Sequence, residues 1–317
     1  MRGLHVALIA GEESGDLLGA GLMAALRARD PDIRFSGVGG EHMAEQGLTS
    51  LFPLGEIAVM GPVAIALRLR SLLRRIREAA DHVVAAAPDV LVIIDSPEFT
   101  HRVAQRVRRA LPGLPILNYS PPTVWAWRPG RAKAMRAYVD RSMALLPFEP
   151  AAHARLGGPP CDYVGHPMLE AARLHLAAPA GAEEGEPVLL VLPGSRRSET
   201  ARLLEPFRAT VEVLKADGHR FRVAAPVVSH LRDELAAAFA SWPVPVEIVE
   251  GEAAKWQVMR RARAALAASG SVTLQLALAG TPMVVGYKVE PLVAMLLPAI
   301  RRLFTVRSVV MANLILD

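Results

Sequence analysis

The feature that most constrains this chain is a set of short apolar runs that do not alternate. VLVII (Val90–Ile94) and VLLVL (Val188–Leu192) carry no polar residue on either face. Side chains along a strand point alternately to opposite sides, so such a run needs cover on both. Parallel sheets lying between helix layers provide it. Stretches of helical period separate the runs, as parallel crossovers require. In the first half, strands are expected at Leu4–Ala10, Phe35–Val38, Val90–Ile94, Ile116–Tyr119, Met143–Leu146 and Asp162–Val164. The helices between them include Gly15–Arg29, Val63–Ala86 and Glu98–Ala110. The pattern restarts after residue 187 with strands at Val188–Leu192, Arg222–Ala225, Val246–Val249, Ala264–Ala267 and Met283–Val285. Its helices are expected at Arg202–Asp217, Leu231–Ala240, Ala253–Arg261 and Val272–Ala279. HLAAPAGAEEGEP (His175–Pro187) has neither period and the composition of a linker. The expected fold class is α/β, with two Rossmann-like doubly wound parallel-sheet domains over residues 1–174 and 187–317.

Composition narrows the function. With 317 residues and 52% hydrophobic content, two well-filled cores are expected. Aromatic residues make up only 5%, which argues against base-stacking platforms, and no nucleic-acid motif is present. The net charge of +5, carried mostly by arginine, suits anionic partners such as phosphorylated small molecules or acidic lipid. A single cysteine, Cys161, excludes an internal disulfide and a cysteine-built metal site, and it fits a reducing cytoplasm. The apolar run after Arg2 is too short for a signal peptide and meets Glu12 and Glu13. Residues 264–287 carry no charge and are long enough to cross a bilayer. Ser-Gly-Ser, Gln275 and Gly-Thr-Pro punctuate them, so strand, loop, helix, turn and strand are expected instead.

In an open parallel sheet, ligands bind beyond the carboxyl ends of the strands, so the residues after each strand are the candidates. After the first comes AGEESGD, whose glycines miss the dinucleotide spacing. Gly11 lets a ligand approach the backbone, and Ser14 or Asp16 has the chemistry of a helix cap. The carboxylates of Glu12 and Asp16 would repel a pyrophosphate and suit sugar hydroxyls; a plain capped turn is the other reading. VLVII is followed by Asp95, either a general base or an Asx turn or cap for the next helix. ILNYS leads into PPTVWAWRPGR, where Trp125, Trp127, Arg128 and Arg131 fit a sugar ring or acyl chain, or packing between domains. In the second half, VLLVLPGSRRSE places Gly194, Ser195 and Arg196 between strand and helix, as an anion loop does. Ser269, Gly270 and Ser271 repeat the arrangement, and two such helix ends in one domain can grip a diphosphate. No Walker lysine, serine-hydrolase elbow or paired histidine motif is present, so no metal is expected; His166 reads as a hydrogen-bonded turn residue.

One helix bears on membranes. Ile65, Leu69, Leu72, Leu73, Ile76, Ala80 and Val83 form a stripe, with Arg68, Arg70, Arg74, Arg75 and Arg77 on the other side. This is a basic amphipathic helix for an anionic membrane surface, or a core helix with a solvated basic face. LLPAIRRLF near the C-terminus is shorter and similar.

AGEESGD, GVGG (Gly37–Gly40), IAVMG (Ile57–Gly61), YSPPTVWAWR, LPFEP (Leu146–Pro150), VGHP, LPGSRRSE and ASGS…MVVGYK occur in this order. Together they resemble the lipid-A-disaccharide synthases of Gram-negative bacteria, from about residue 4 to the last. The resemblance implies an inverting glycosyltransferase of the GT-B type, with two Rossmann-like domains facing a cleft and no metal or other cofactor. It implies transfer of 2,3-diacylglucosamine from UDP-2,3-diacylglucosamine to 2,3-diacylglucosamine 1-phosphate (lipid X). The products are a β-1,6-linked disaccharide 1-phosphate and UDP, made at the cytoplasmic face of the inner membrane by a peripheral and dimeric protein. It places a functionally important aspartate at Asp95, expected to take the proton of the acceptor 6-hydroxyl, with Glu12 or Asp16 as the alternative base. Gly11, Ser14, Trp127 and Arg128 are expected to bind substrate, and Gly194, Ser195, Arg196, Ser269, Gly270, Ser271 and Gln275 the UDP group.

Three departures stand out. Gln275 occupies a position that is usually glutamate, Glu41-His42 follows GVGG where Pro-Arg is common, and the chain stops at ANLILD, so the C-terminal crossover segment is expected to be absent. Two other readings share the architecture: a UDP-sugar 2-epimerase, and a truncated, non-catalytic lipid- or nucleotide-binding protein.

Overall fold

The computed structural model describes residues 3–57, 62–177 and 185–288. It divides into two compact units at Pro167/Met168. IAVMG beyond Ile57, the side chain of Ile65, part of the linker, LLPAIRRLF and ANLILD lie outside the described residues.

The first unit runs β1 (His5–Ala10), α1 (Glu13–Arg27), β2 (Arg34–Val38), α2 (Glu41–Glu45), α3 (Pro62–Ala86), β3 (Val90–Ile94), α4 (Pro97–Ala110), β4 (Ile116–Tyr119), α5 (Gly130–Met135), β5 (Arg141–Ala144), α6 (Glu149–Arg155) and β6 (Cys161–Tyr163). Its strands form one parallel sheet in the order β2-β1-β3-β4-β5-β6. Ser50 adds a parallel bridge to Gly37 outside β2. The order reverses between β1 and β3, which makes their carboxyl ends the topological switch point. The apolar runs are buried on both faces. Ala7, Ile9, Leu91 and Ile93 pack with Ile76, Val83, Val103 and Val107 of α3 and α4, while Val6, Leu8, Val92 and Ile94 pack with Met23 and Met43.

The second unit holds α7 (Pro167–Leu176), β7 (Val188–Leu192), α8 (Arg197–Ala216), β8 (Arg222–Pro226), α9 (Arg232–Phe239), β9 (Val246–Val249), α10 (Glu252–Arg261), β10 (Ala264–Ala268), α11 (Ser271–Ala279) and β11 (Met283–Gly286). Its parallel sheet has the order β11-β10-β7-β8-β9, with the switch point between β7 and β10. Leu189, Val191 and Val223 pack on Leu203, Phe207 and Leu235; Leu190, Leu192 and Ala224 pack on Met259 and Leu276. The uncharged stretch is β10, α11 and β11, and no described helix is long and apolar enough to cross a membrane. Two contacts tie α7 to this unit: His175 stacks on Trp256 at 6.2 Å, and Arg260 Nη1 donates to the Leu176 carbonyl at 3.2 Å. A helix that reads as the tail of the first domain therefore packs with the second.

Differences from the expected elements have local causes. β5 ends at Ala144 because the Leu145 and Leu146 amides donate to Glu149 Oε2, at 3.1 and 2.9 Å. α8 starts at Arg197, ahead of the expected Arg202, through a polar first turn that shows no apolar period. Pro206 sits inside α8, where it removes one amide donor without ending the helix. α2, α5, α6 and α7 are too short, or too interrupted, to declare a period.

The basic helix α3 divides in two. Ile76, Ala80 and Val83 are core. Arg75 is not a solvated cation: it donates to Glu56 Oε2 from Nε and Nη2, at 2.8 and 2.6 Å, and to Glu78 Oε2 at 2.6 Å. Its guanidinium also lies 4.7 Å above the Phe52 ring. Toward the helix start, Leu69, Leu73, Arg68, Arg70, Arg74 and Arg77 are exposed.

A buried polar group joins the interior strand β4 to α4. Asn118 Nδ2 lies 3.4 Å from His101 Nε2, and the Tyr138 hydroxyl lies 3.0 Å from His101 Nδ1. Burial, with the Arg131 charge adding to it, pushes the His101 pKa down from 6.5 to about 4. An unfolded chain therefore takes up this proton before the folded one does. The stabilisation is complete above about pH 6.5 and is lost as pH falls toward 4. Unfolding free energy is expected to drop by about 3 kcal/mol over that interval from this group. Urea titrations at pH 7 and pH 4.5 check it, and His101→Gln should flatten the dependence.

Candidate active site

The first candidate site lies at the switch point of the first unit. Ala10 pairs with Ile94 in the sheet, so the chain leaves β1 and β3 side by side. A Cβ on Gly11 would fall 2.4 Å from Ser96 Cβ, and only glycine allows the two loops to meet this closely. Ser14 Oγ then donates to Asp95 Oδ2 at 2.7 Å, and the Ser96 amide donates to Oδ1 at 2.8 Å. Asp95 and Ser96 are both left-handed, with φ 52° and 43°. Ser120, after β4, and Arg128 are left-handed too, at 59° and 52°. Such residues are uncommon outside glycine and persist where their surroundings hold them. Here the Thr100 hydroxyl donates to the Asp95 carbonyl at 2.6 Å, and the Asp95 amide to the Tyr119 carbonyl at 3.2 Å. The N-cap of α4 is Ser96. Asp95 accepts the amide next to it and none further into the helix among the described bonds, so it is neither an Asx turn nor an ordinary cap.

Asp16 has another task. It is 2% exposed, and its two oxygens accept the amides of Gly40, His42 and Met43, at 2.6, 2.9 and 3.1 Å. It caps α2 from a neighbouring helix, which removes it as an alternative base. Glu12 is exposed at the N-cap position of α1 and makes no side-chain cap bond there.

The tryptophan segment is more structural than its sequence implies. Trp125 Nε1 donates to Glu149 Oε1 at 3.1 Å and meets the Phe148 ring edge-on at 5.0 Å. Glu149 is buried, and burial raises its carboxyl pKa against the pull of the Leu146, Trp125 and Leu145 donors. Trp127 is half-buried, with the Arg128 guanidinium 5.4 Å from its ring centre. Arg128 lies 3.5 Å from Glu98 Oε1, and Arg131 pairs with the same oxygen. Burial raises the Glu98 carboxyl, but the Arg131 hydrogen bond and the charges of Arg131, Arg128 and Arg102 outweigh it, so the net shift is downward. Glu98 and Glu149 carry no sequence signal as partners, because each meets its arginine or tryptophan only in the fold.

The second candidate site lies at the switch point of the second unit. Leu192 pairs with Ala267, which sets the PGSR loop beside Ser269-Gly270-Ser271. Gly194 has φ 120°, and a Cβ there would fall 2.6 Å from both Cβ and Oε2 of Glu199. Ser195 and Arg196 stand just before α8, whose N-cap is Arg196. Gly270 is the N-cap of α11 with open space where a Cβ would be, and Thr273 Oγ1 donates to its carbonyl at 2.8 Å. One turn along, Gln275 Nε2 donates to Glu252 Oε1 at 3.3 Å. Glu252 also accepts Trp256 Nε1 at 2.9 Å and pairs with Lys255 at 2.5 Å. Among the described residues, no group of three His, Cys, Asp or Glu side chains is placed to hold a metal ion.

A family model described as lipid-A-disaccharide synthetase matches residues 6–317. The lipid-A-disaccharide synthase of Nitrobacter winogradskyi is 54% identical over 315 residues, covering 98% of this chain and 78% of that protein. The one from Rhodospirillum centenum is 44% identical over 328 residues, covering 100% and 80%.

The chain belongs to the lipid-A-disaccharide synthetase family.

It is thus a glycosyltransferase of lipid A biosynthesis. Among solved structures, UDP-GlcNAc 2-epimerase from Neisseria meningitidis superposes with a TM-score of 0.62 at 13% identity, over 90% of this chain and 83% of that one. A glycotransferase of kitacinnamycin gives 0.54 at 17%, over 92% and 82%. At these identities the likeness establishes the two-domain α/β fold of the GT-B kind and nothing of the reaction. The epimerase reading therefore gives way to the synthetase family.

Proposed function

We propose that the chain moves 2,3-diacylglucosamine from UDP-2,3-diacylglucosamine to the 6-hydroxyl of lipid X, releasing UDP. The observation that carries this reading is Asp95, a carboxylate set in a left-handed turn at the switch point and oriented by Ser14. The acceptor oxygen attacks the anomeric carbon as Asp95 takes its proton. The bond to UDP breaks on the opposite face, so the configuration inverts. Negative charge then grows on the diphosphate, where the Gly194–Ser195 amides, Arg196 and the Ser269–Ser271 loop stabilise it. Ser14 brings a hydroxyl to the acceptor sugar, with Glu12 as an acceptor for its hydroxyls, while Gly11, buried against Ser96, serves by letting the two loops meet and not by opening the backbone to the ligand. Trp127 and Arg128 supply an apolar face and a cation for an acylated, phosphorylated sugar. Gln275, beside Glu252, takes the ribose.

The exposed part of α3 supports a peripheral seat on the cytoplasmic face of the inner membrane. Leu69 and Leu73 can enter the headgroup region while Arg68, Arg70, Arg74 and Arg77 meet anionic lipid.

The direct test is turnover of UDP-2,3-diacylglucosamine and lipid X by the purified chain in detergent micelles. Disaccharide 1-phosphate and UDP are expected in equal amounts, with or without EDTA. UDP binding with no disaccharide would instead make the chain a nucleotide-binding remnant of its family.

A further inference from the structure

The anion loop of the second unit already holds an anion of its own. Glu199 lies in the first turn of α8, and its side chain folds back over the loop. Its Oε2 accepts the Ser195 amide at 3.1 Å, and its Oε1 accepts Arg196 Nη1 at 3.1 Å. The positive φ of Gly194, and the missing Cβ that would otherwise strike Glu199, let the carboxylate lie against the peptide. Two donors assigned above to the diphosphate are thus bound by one carboxylate, one to each oxygen. The Ser195 amide has one hydrogen, so a phosphoryl oxygen takes it only by displacing the carboxylate, and the same holds for the Arg196 Nη1 donor aimed at Glu199.

We infer that Glu199 is a built-in competitor of the diphosphate, holding the Ser195 amide and Arg196 when nucleotide is absent and yielding them when it binds. The inference rests on the proposed placement of the diphosphate on this loop. The carboxylate keeps the loop donors paired and Arg196 near its working position, so the loop is pre-shaped. It also lowers apparent affinity by the fraction of time the loop is closed. After glycosyl transfer the carboxylate returns as UDP leaves, which speeds release of the product. Glu199 is a positioning residue here, since it acts through Arg196 and the loop rather than on the reacting atoms.

The test is calorimetric binding of UDP, inorganic pyrophosphate and uridine to the intact chain and three variants. Glu199→Ala is expected to tighten UDP and pyrophosphate on the order of tenfold, and to leave uridine unchanged because it lacks the diphosphate. Glu199→Gln keeps an acceptor for the Ser195 amide but loses the charge facing Arg196, so it should tighten both several-fold and preserve the helix start if Ala does not. A residue that merely capped α8 would lower the melting temperature and leave the three affinities alone, which would overturn the inference. Arg196→Ala separates the competitor role of Glu199 from the binding of diphosphate by the loop. If it weakens UDP while neither Glu199 variant tightens it, the competitor is wrong and the loop assignment stands. If it leaves UDP binding unaltered, the loop assignment fails and the inference fails with it.

Discussion

Asp95→Asn is expected to lower kcat by about 100- to 10,000-fold, the range for losing a positioned general base, with little change in melting temperature. Asparagine is the informative substitute because Asp95 sits at φ 52°, a region that Asn and Asp tolerate better than other non-glycine residues. Alanine would add backbone strain and blur the result. Asparagine keeps one oxygen for the Ser96 amide, and the Ser14 hydroxyl can turn to accept from the new amide group. The loop survives while the proton acceptor is gone. Ser14→Ala should have a smaller effect, about tenfold or less, since it orients one carboxylate oxygen without taking the proton. Single-turnover rates with saturating substrates are the measurement, beside thermal melts of each variant. An Asp95→Asn enzyme that keeps its rate would transfer the base role to Glu12, the other carboxylate expected to serve as base.

The fold is readable from this sequence because its central strands are buried on both faces. Val90–Ile94 and Val188–Leu192 have no alternation to misread, and both match the observed strands residue for residue. The rule that ligands gather at carboxyl ends of strands then led to the loops after β1, β3, β7 and β10. The structure shows these as two adjacent pairs, one at each switch point. What could not be read was charge partnership. Asp16 looked like a site carboxylate because α2, the helix it caps, is only five residues long and lies 24 to 27 residues away. Arg75 looked like one of five surface cations, yet Glu56, 19 residues earlier, claims it. Trp125 looked like a ligand platform, and its indole is committed to Glu149, 24 residues later. Each of these pairs is local in space and distant along the chain, so neither period nor spacing reveals it. The same blindness hid Glu98 between Arg128 and Arg131.

Arg196→Ala should reduce kcat by about 100- to 1,000-fold, the usual effect of removing one donor aimed at developing charge. The loss should fall on kcat more than on the KM of the lipid acceptor, because charge on the diphosphate increases as the glycosidic bond breaks. Arg196→Lys should recover only part of it, since an ammonium keeps the charge but not the planar pair of donors. Glu199 makes this prediction sharper. Arg196 pairs with Glu199, so if it also binds the nucleotide as proposed, the two residues cannot act independently. Glu199→Ala in an Arg196→Ala background should therefore tighten UDP much less than it does alone, because only the Ser195 amide remains to be freed. Equal gains in both backgrounds would mean that Glu199 acts without Arg196. A reduced gain would show that Arg196 is the donor the diphosphate and the carboxylate contest.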